Sequence, residues 1–359
     1  MADDSSGSTF IDEKGRVFGL INIVDLLVIV LLVAVIAAGA ALVLGTGEEP
    51  SEEEEQYVTL EMNSQPEYIA EEIQEGDQWD PEGGTLTVTD TYMAASSSDD
   101  NVDIWIQAKI NGTTISNDTE VIALGDTPVR LGERLELNTD RYSAGGTITD
   151  ISESTAEIDT ETRDITVVTD VDQQTADRIA VGDGFTVGDR TWMTVEEIVT
   201  RYATASSDTD RLVLGVNTEV RTGENTPQLG HRTVQLGESI PVRIGGDQMT
   251  GSIISVDSFE EPGEASDRTV TMQANATEQP AADLVEPGMV ETVGDNQFAE
   301  VLAVESSEEM VEITVEMSVK EQEDGAVTYR TDTLLLGESV VLQLDSGPVV
   351  EWQVTGIDE

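Results

Sequence analysis

Val102-Asp103-Ile104-Trp105-Ile106-Gln107-Ala108-Lys109-Ile110 alternates without a break, with Val102, Ile104, Ile106, Ala108 and Ile110 forming one apolar set. Successive side chains of a strand point to opposite faces, so this run predicts a strand with one buried face. The same period of two runs through Val311, Ile313, Val315, Met317 and Val319, and through Leu212, Leu214 and Val216. Clusters of Ser, Asp and Gly separate these runs and read as hairpin turns.

Around the runs the chain repeats itself three times. Ile73-Gln74-Glu75-Gly76-Asp77, Ile179-Ala180-Val181-Gly182-Asp183 and Val285-Glu286-Pro287-Gly288-Met289 follow one another at intervals of 106 residues. A second glycine comes soon after each: Gly83, Gly188 and Gly294. Ser-rich acidic turns follow at Ser96, Ser206 and Ser306. Then come Leu131-Gly132-Glu133, Leu236-Gly237-Glu238 and Leu336-Gly337-Glu338. Apolar pairs close each copy: Ile148 and Ile151, Ile253 and Val256, Val354 and Ile357.

The repeated glycines are expected at chain reversals that need positive φ. Glu133, Glu238 and Glu338 are expected to begin strands and face water. Short helices stopped by glycine are expected over Pro66 to Glu75, Gln173 to Ala180 and Pro280 to Val285. The fold class is therefore mainly β. Three tandem small β-barrel or sandwich modules of five to seven strands, each with one short helix, occupy 57–160, 161–264 and 265–359.

An N-terminal transmembrane helix is expected over 17–45. Leu26 to Leu44 holds no charged or strongly polar side chain, and its 19 residues would span nearly 30 Å, about one bilayer core. Lys14 and Arg16 precede it, and the next base is Lys109. This asymmetry places the tail 1–16 in the cytoplasm and the body outside. Residues 46–56 form an acidic linker. Asn22 and Asp25, three apart on one helix face, are candidate contacts at the membrane interface.

The chain carries 73 acids against 17 bases, a net charge of -56. That excludes nucleic acid as a partner of the body, because phosphate binding needs clustered Lys and Arg. Scarce Lys and an acidic coat over strand-like segments predict an extremely halophilic, archaeal source. The absence of cysteine removes thiol catalysis and thiolate metal sites. His231 is the only histidine, and it is expected at the surface. No nucleophile elbow, phosphate loop or dinucleotide fingerprint is present. Asp170 and Asp172, like Asp208 and Asp210, read as solvated turns rather than calcium ligands. No catalytic residue, cofactor or metal is expected, and the protein reads as a non-enzyme. Acceptor sequons at Asn111, Asn117 and Asn275 are candidate glycosylation sites on an outer surface.

Asp12-Glu13-Lys14-Gly15-Arg16, Phe18-Gly19, Ile21-Asn22 and Asp25-Leu26 resemble the opening of an uncharacterised membrane-anchored family, domain of unknown function 4330. Gly146-Thr147-Ile148 with Ile151 is similar to the closure of that family's β-rich body. The resemblance implies one membrane span followed by a β body, and it implies no activity. Leu284, Gly288, Val293-Gly294 and Leu335-Leu336-Gly337-Glu338 resemble the MCE lipid-transport domains. That likeness implies a lipid-like ligand and a homo-oligomeric ring. The chain departs from MCE domains in its three tandem copies and its lack of an apolar pore loop. The expected function is a single-pass protein of the cell envelope, binding or transferring a lipid-like ligand in contact with the lipid bilayer. The alternatives are a structural scaffold that organises envelope proteins and, more distantly, a carboxylate-based envelope hydrolase.

Overall fold

The structure is a computed structural model that describes residues 16–17, 21–22, 28 and 53–358, apart from 99, 117–120, 155–156, 205–207, 223–225, 294–295 and 346. The chain divides into a unit up to Glu53 and a unit from Glu54 onward. In the first, β1 (Arg16–Val17) pairs antiparallel with β2 (Ile21–Asn22). This corrects the expectation of helix from residue 17. Gly15 and Gly19 are poor helix residues, and Val17 and Ile21 are β-branched. Among the described residues no helix is long and apolar enough to cross a membrane. The apolar run Leu26 to Leu44, apart from the helical Val28, lies outside the described residues.

The second unit holds three similar curled sheets of eight strands each. Module one contains β3 (Glu53–Pro66), β4 (Gln78–Trp79), β5 (Gly84–Ala95), β6 (Asn101–Ser116), β7 (Val121–Leu124), β8 (Thr127–Pro128), β9 (Arg134–Asn138) and β10 (Ser143–Ser152). Module two contains β11 (Thr160–Asp172), β12 (Gly184–Val187), β13 (Arg190–Ala203), β14 (Thr209–Thr222), β15 (Pro227–Leu229), β16 (Arg232–Thr233), β17 (Ser239–Ile244) and β18 (Asp247–Val256). Module three contains β19 (Glu264–Asn275), β20 (Val290–Val293), β21 (Asn296–Ser306), β22 (Met310–Glu321), β23 (Val327–Tyr329), β24 (Asp332–Thr333), β25 (Ser339–Gln343) and β26 (Val349–Asp358).

Strand order in module one is β4-β5-β6-β3-β10-β9, with the hairpin β7–β8 hanging from β6, and the other modules repeat it. In modules two and three the sheet curls until its two edges meet at one end. Gly245, just after β17, donates its N–H to Gly184 O of β12 at 3.4 Å, and Asp345, just after β25, donates to Val290 O of β20 at 2.8 Å. The result is a half-barrel. Eight strands replace the expected five to seven, because hairpins such as β15–β16 are too short to show a period. The first strand begins at Glu53, inside the expected linker. There Lys109 Nζ meets Glu55 Oε1 at 2.7 Å.

The alternating runs fill the interiors. Val102, Ile104, Ile106, Ala108 and Ile110 are fully buried, as are Leu214 and Val216, Val311 and Val315. The short helices form at Glu67–Ala70, Gln173–Arg178 and, as a 3-10 turn, Pro280–Leu284.

The triplication extends to single hydrogen bonds. Gly132, Gly237 and Gly337 each donate an N–H, at 2.8 Å, to the carbonyls of Ile148, Ile253 and Val354. Those three residues return an N–H to Glu133, Glu238 and Glu338, each at 2.9 Å. The glycines take φ of 81°, 79° and 87°. No atom lies within 4 Å of where a Cβ would sit, so the conformation rather than crowding requires glycine. Replacing Gly237 by Ala is expected to cost about 1–2 kcal/mol. The same change at Gly132 or Gly337 should cost the same within error, as read by denaturant unfolding of each variant.

Candidate functional site

A single curled sheet covers its own core with one face and leaves the other to be covered by something else. The modules meet where the small hairpin of one docks on the outer face of the one before. At the first joint the hairpin β15–β16 turns through Leu229-Gly230-His231-Arg232 onto β5 and β6. Gly230 takes φ of 59°. A Cβ there would sit 3.4 Å from Ala94 Cβ, so glycine permits close approach. Its N–H donates to Tyr92 Oη at 3.3 Å, and the Tyr92 hydroxyl donates to Glu219 O at 3.2 Å.

Aromatic rings pack this joint. Tyr92 lies 5.7 Å from Trp105 and 5.6 Å, edge to face, from Trp192. The Arg221 guanidinium stands 3.9 Å over Trp105, and Arg190 stands 4.0 Å over Trp192. Such stacking suits a weakly hydrated guanidinium. Burial pushes the Tyr92 hydroxyl up to about 12 and pulls Arg221 below its ordinary value.

His231 sits 4.8 Å from Trp105, with Nδ1 3.8 Å from Glu61 and Nε2 3.8 Å from Asp103. The expected surface histidine is thus half exposed and wedged into a joint. Burial raises the Asp103 carboxyl above its ordinary value, and His231 opposes the shift. Arg243, buried in module two, reaches Glu67 of module one at 2.6 Å.

The second joint repeats the device with different chemistry. The hairpin β23–β24 turns through Tyr329-Arg330-Thr331-Asp332 onto β13 and β14. The Tyr202 hydroxyl donates to Arg330 O, and Arg211 bridges Asp332 at 2.5 Å and Asp170 at 2.6 Å. Buried Arg330 pairs with buried Glu291, which also accepts from the Tyr329 hydroxyl at 2.8 Å. Burial lowers Arg330 to about 10, so it stays charged at neutral pH.

Each joint leaves a cleft beside the hairpin. Ser239, Ile240 and Pro241 line about 320 Å³ at the first joint, and Ser339, Val340 and Val341 line about 280 Å³ at the second. On the other side of the second joint, Leu236, Ile253, Ile254 and Pro262 line an apolar groove of about 310 Å³.

The joints were not read from the sequence as sites. Of the residues that were, Asn22 lies in the β1–β2 ladder, while Asp25 and Asn117 are outside the described residues. Asn111 is half-buried within β6, with its Oδ1 buried and unbonded. Asn275 ends β19, and its Oδ1 accepts from the N–H of Thr277 at 2.9 Å. Glu133 and Glu338 are exposed, and Glu238 is half-buried beside Arg232 at 3.4 Å.

The reading of Asp210 as a solvated turn is corrected. It is buried and held by Arg201 at 2.7 Å. Asp170 holds Arg211, and Asp172 caps the helix by accepting from Thr175 N–H at 2.9 Å. No cluster of three His, Asp or Glu side chains fit for a metal occurs among the described residues.

Two outcomes are expected. Arg330→Met or Glu291→Gln alone leaves half a buried ion pair, costing about 3–5 kcal/mol, and the double variant should lose less than the sum. Denaturant unfolding in a double-mutant cycle reads this. Asp103 keeps its proton to higher pH in the folded chain than in the unfolded one. Its favourable share is full below the unfolded pKa and is lost as pH rises through the folded one. Thermal unfolding at stepped pH should show wild type losing stability relative to Asp103→Asn over that rise. Parallel curves would count against the burial of this carboxyl.

Residues 9–97 match the family described as a domain of unknown function (DUF4330), a span that runs from the N-terminal segment through β5 of module one. No curated protein matches the chain, and no solved structure matches it. The likeness to MCE domains therefore rests on the residues quoted for it, while over residues 9–97 the chain is similar to the unknown-function family.

Proposed function

We propose that the chain is a non-enzymatic, single-pass membrane protein of the cell envelope that holds neighbouring proteins in place through three fused β modules. The observation that carries this reading is the joint. Aromatic side chains, Arg190, Arg221 and Arg243 at the first, and Arg211 and Arg330 at the second, lie in contacts that fix one module on the next. A rigid series suits a part that positions others better than one that opens and closes around a substrate. The apolar run Leu26 to Leu44, with Lys14 and Arg16 before it, supports the tether and its orientation.

Carriage of a lipid-like ligand is the second reading, and the groove at Leu236 favours it. Its 310 Å³ is near the lower limit of small-molecule sites, about 300 Å³, and the sheet interiors are filled by their own side chains. Holding neighbours is thus the better-supported role.

Protease added to intact cells should remove the body and spare a tag at Met1. Crosslinking before lysis should then join the body to envelope proteins, and mass spectra of protein purified in high salt should carry no lipid. A protected body would overturn the outward orientation, and a stoichiometric lipid would favour carriage. If glycans are attached, Asn275, at the end of its strand, should carry them in preference to Asn111, whose amide oxygen is buried within β6, as read from glycopeptide masses.

A further inference from the structure

Along β6, β14 and β22 the ladders align the three outer faces residue by residue, with one further bulge on β13 between Ile198 and Thr200. Val88 pairs with Ala108, Val195 with Val216, and Val301 with Val315, each just before a bulge. Counting back three residues along β6, β14 and β22 places Trp105, Val213 and Glu312 at one position. Their partners across the ladder are Tyr92, Thr200 and Glu305. In modules one and two both members of the pair are buried under the chain that follows. Tyr92 and Trp105 lie under the β15–β16 hairpin, and Thr200 Oγ1 meets Glu261 of the next linker at 3.2 Å. In module three both members are exposed glutamates.

The other half of the joint is present and shaped. Module one's own hairpin turns through Leu124-Gly125-Asp126-Thr127, with Gly125 at φ 63°, as Leu229-Gly230 turns with Gly230 at φ 59°. A plug and a socket on one chain form a heterologous pair, and such pairs build rings or open filaments when both are competent. We infer that Glu305 and Glu312 close the socket of module three against a second copy of this chain. Docking a hairpin there would strip water from two carboxylates that face each other across the ladder, and would bring the exposed Asp126 against them. The desolvation cost persists in strong salt, where repulsion between exposed charges is screened. This inference rests on the ladders and is independent of where in the cell the body lies.

The test copies module two's socket into module three of the full chain: Glu305→Thr, Glu312→Val and Met310→Arg, the last reproducing Arg211 at its aligned position. Light scattering behind size exclusion, in high salt and detergent, should show wild type at one mass over a concentration series. The triple variant should rise to dimers and longer species. Asp126 aligns with His231, and Gln273 aligns with Glu61, which His231 approaches at 3.8 Å. Because the chain has no cysteine, adding Asp126→Cys and Gln273→Cys reports the contact directly. Oxidation should yield a crosslinked ladder in the triple-variant background and little in wild type.

A triple variant that stays at the wild-type mass overturns the inference. So does association without the 126–273 crosslink, and so does a wild-type chain that crosslinks as well as the variant. Glu338→Gln, on an exposed turn away from the socket, is the control and should leave the mass unchanged.

Discussion

The structure depends on covering the outer face of a single curled sheet. Each module encloses its core with one face, and the opposite face of β5–β6 carries Tyr92, Trp105 and Gln107, all buried. The hairpin of module two supplies the cover. An aromatic ring of this kind buries about 150–250 Å², so two of them contribute several kcal/mol as an upper estimate. The consequence reaches the cores: modules one and two share one continuous apolar cluster, while module three holds a separate one. The second joint leans instead on Tyr202, Arg211, Asp332 and the Arg330–Glu291 pair. Buried ion pairs give little net stability, because desolvation offsets attraction. The two joints therefore differ in kind, the first apolar and the second specified by charge.

The strands, the short helices and the triplication were legible in the sequence because each is a local pattern. Alternation needs only neighbours, and a positive-φ glycine is required by the turn it sits in. The joints were harder to read, but their signal was present in departures from alternation. Trp105 sits in the outward phase of its strand. Leu212-Val213-Leu214-Gly215-Val216 is apolar in both phases, as a strand buried on both faces should be. Val311-Glu312-Ile313-Thr314-Val315-Glu316 keeps strict alternation, and its glutamates are exposed. Asp210 was misread for a related reason. Its burial depends on Arg201 across the ladder, a register that no spacing rule supplies.

Chain direction follows from the same geometry. A hairpin always docks on the module before it, so every joint has the same polarity. Repeat arrays of this type behave as one-dimensional series, in which each module answers only to its neighbours. A module cannot exchange places with another unless its plug and its socket both match, and the chemistry of the two joints differs enough to forbid exchange. The Tyr92–Trp105 socket requires a close glycine, whereas the Arg211 socket requires an acid on the hairpin.

In a chain with 73 acids and 17 bases, an acid marks little unless its place in a ladder singles it out, and bases mark a great deal. Arg190, Arg211, Arg221, Arg243 and Arg330 all stand at the joints, paired or stacked on rings. Exposed pairs contribute little, and strong salt would reduce them further. Partly buried pairs are shielded from that screening, and a guanidinium stacked on an indole does not depend on a counter-charge. Concentrating the few bases where water is excluded thus places the joints among the contacts that ionic strength affects least.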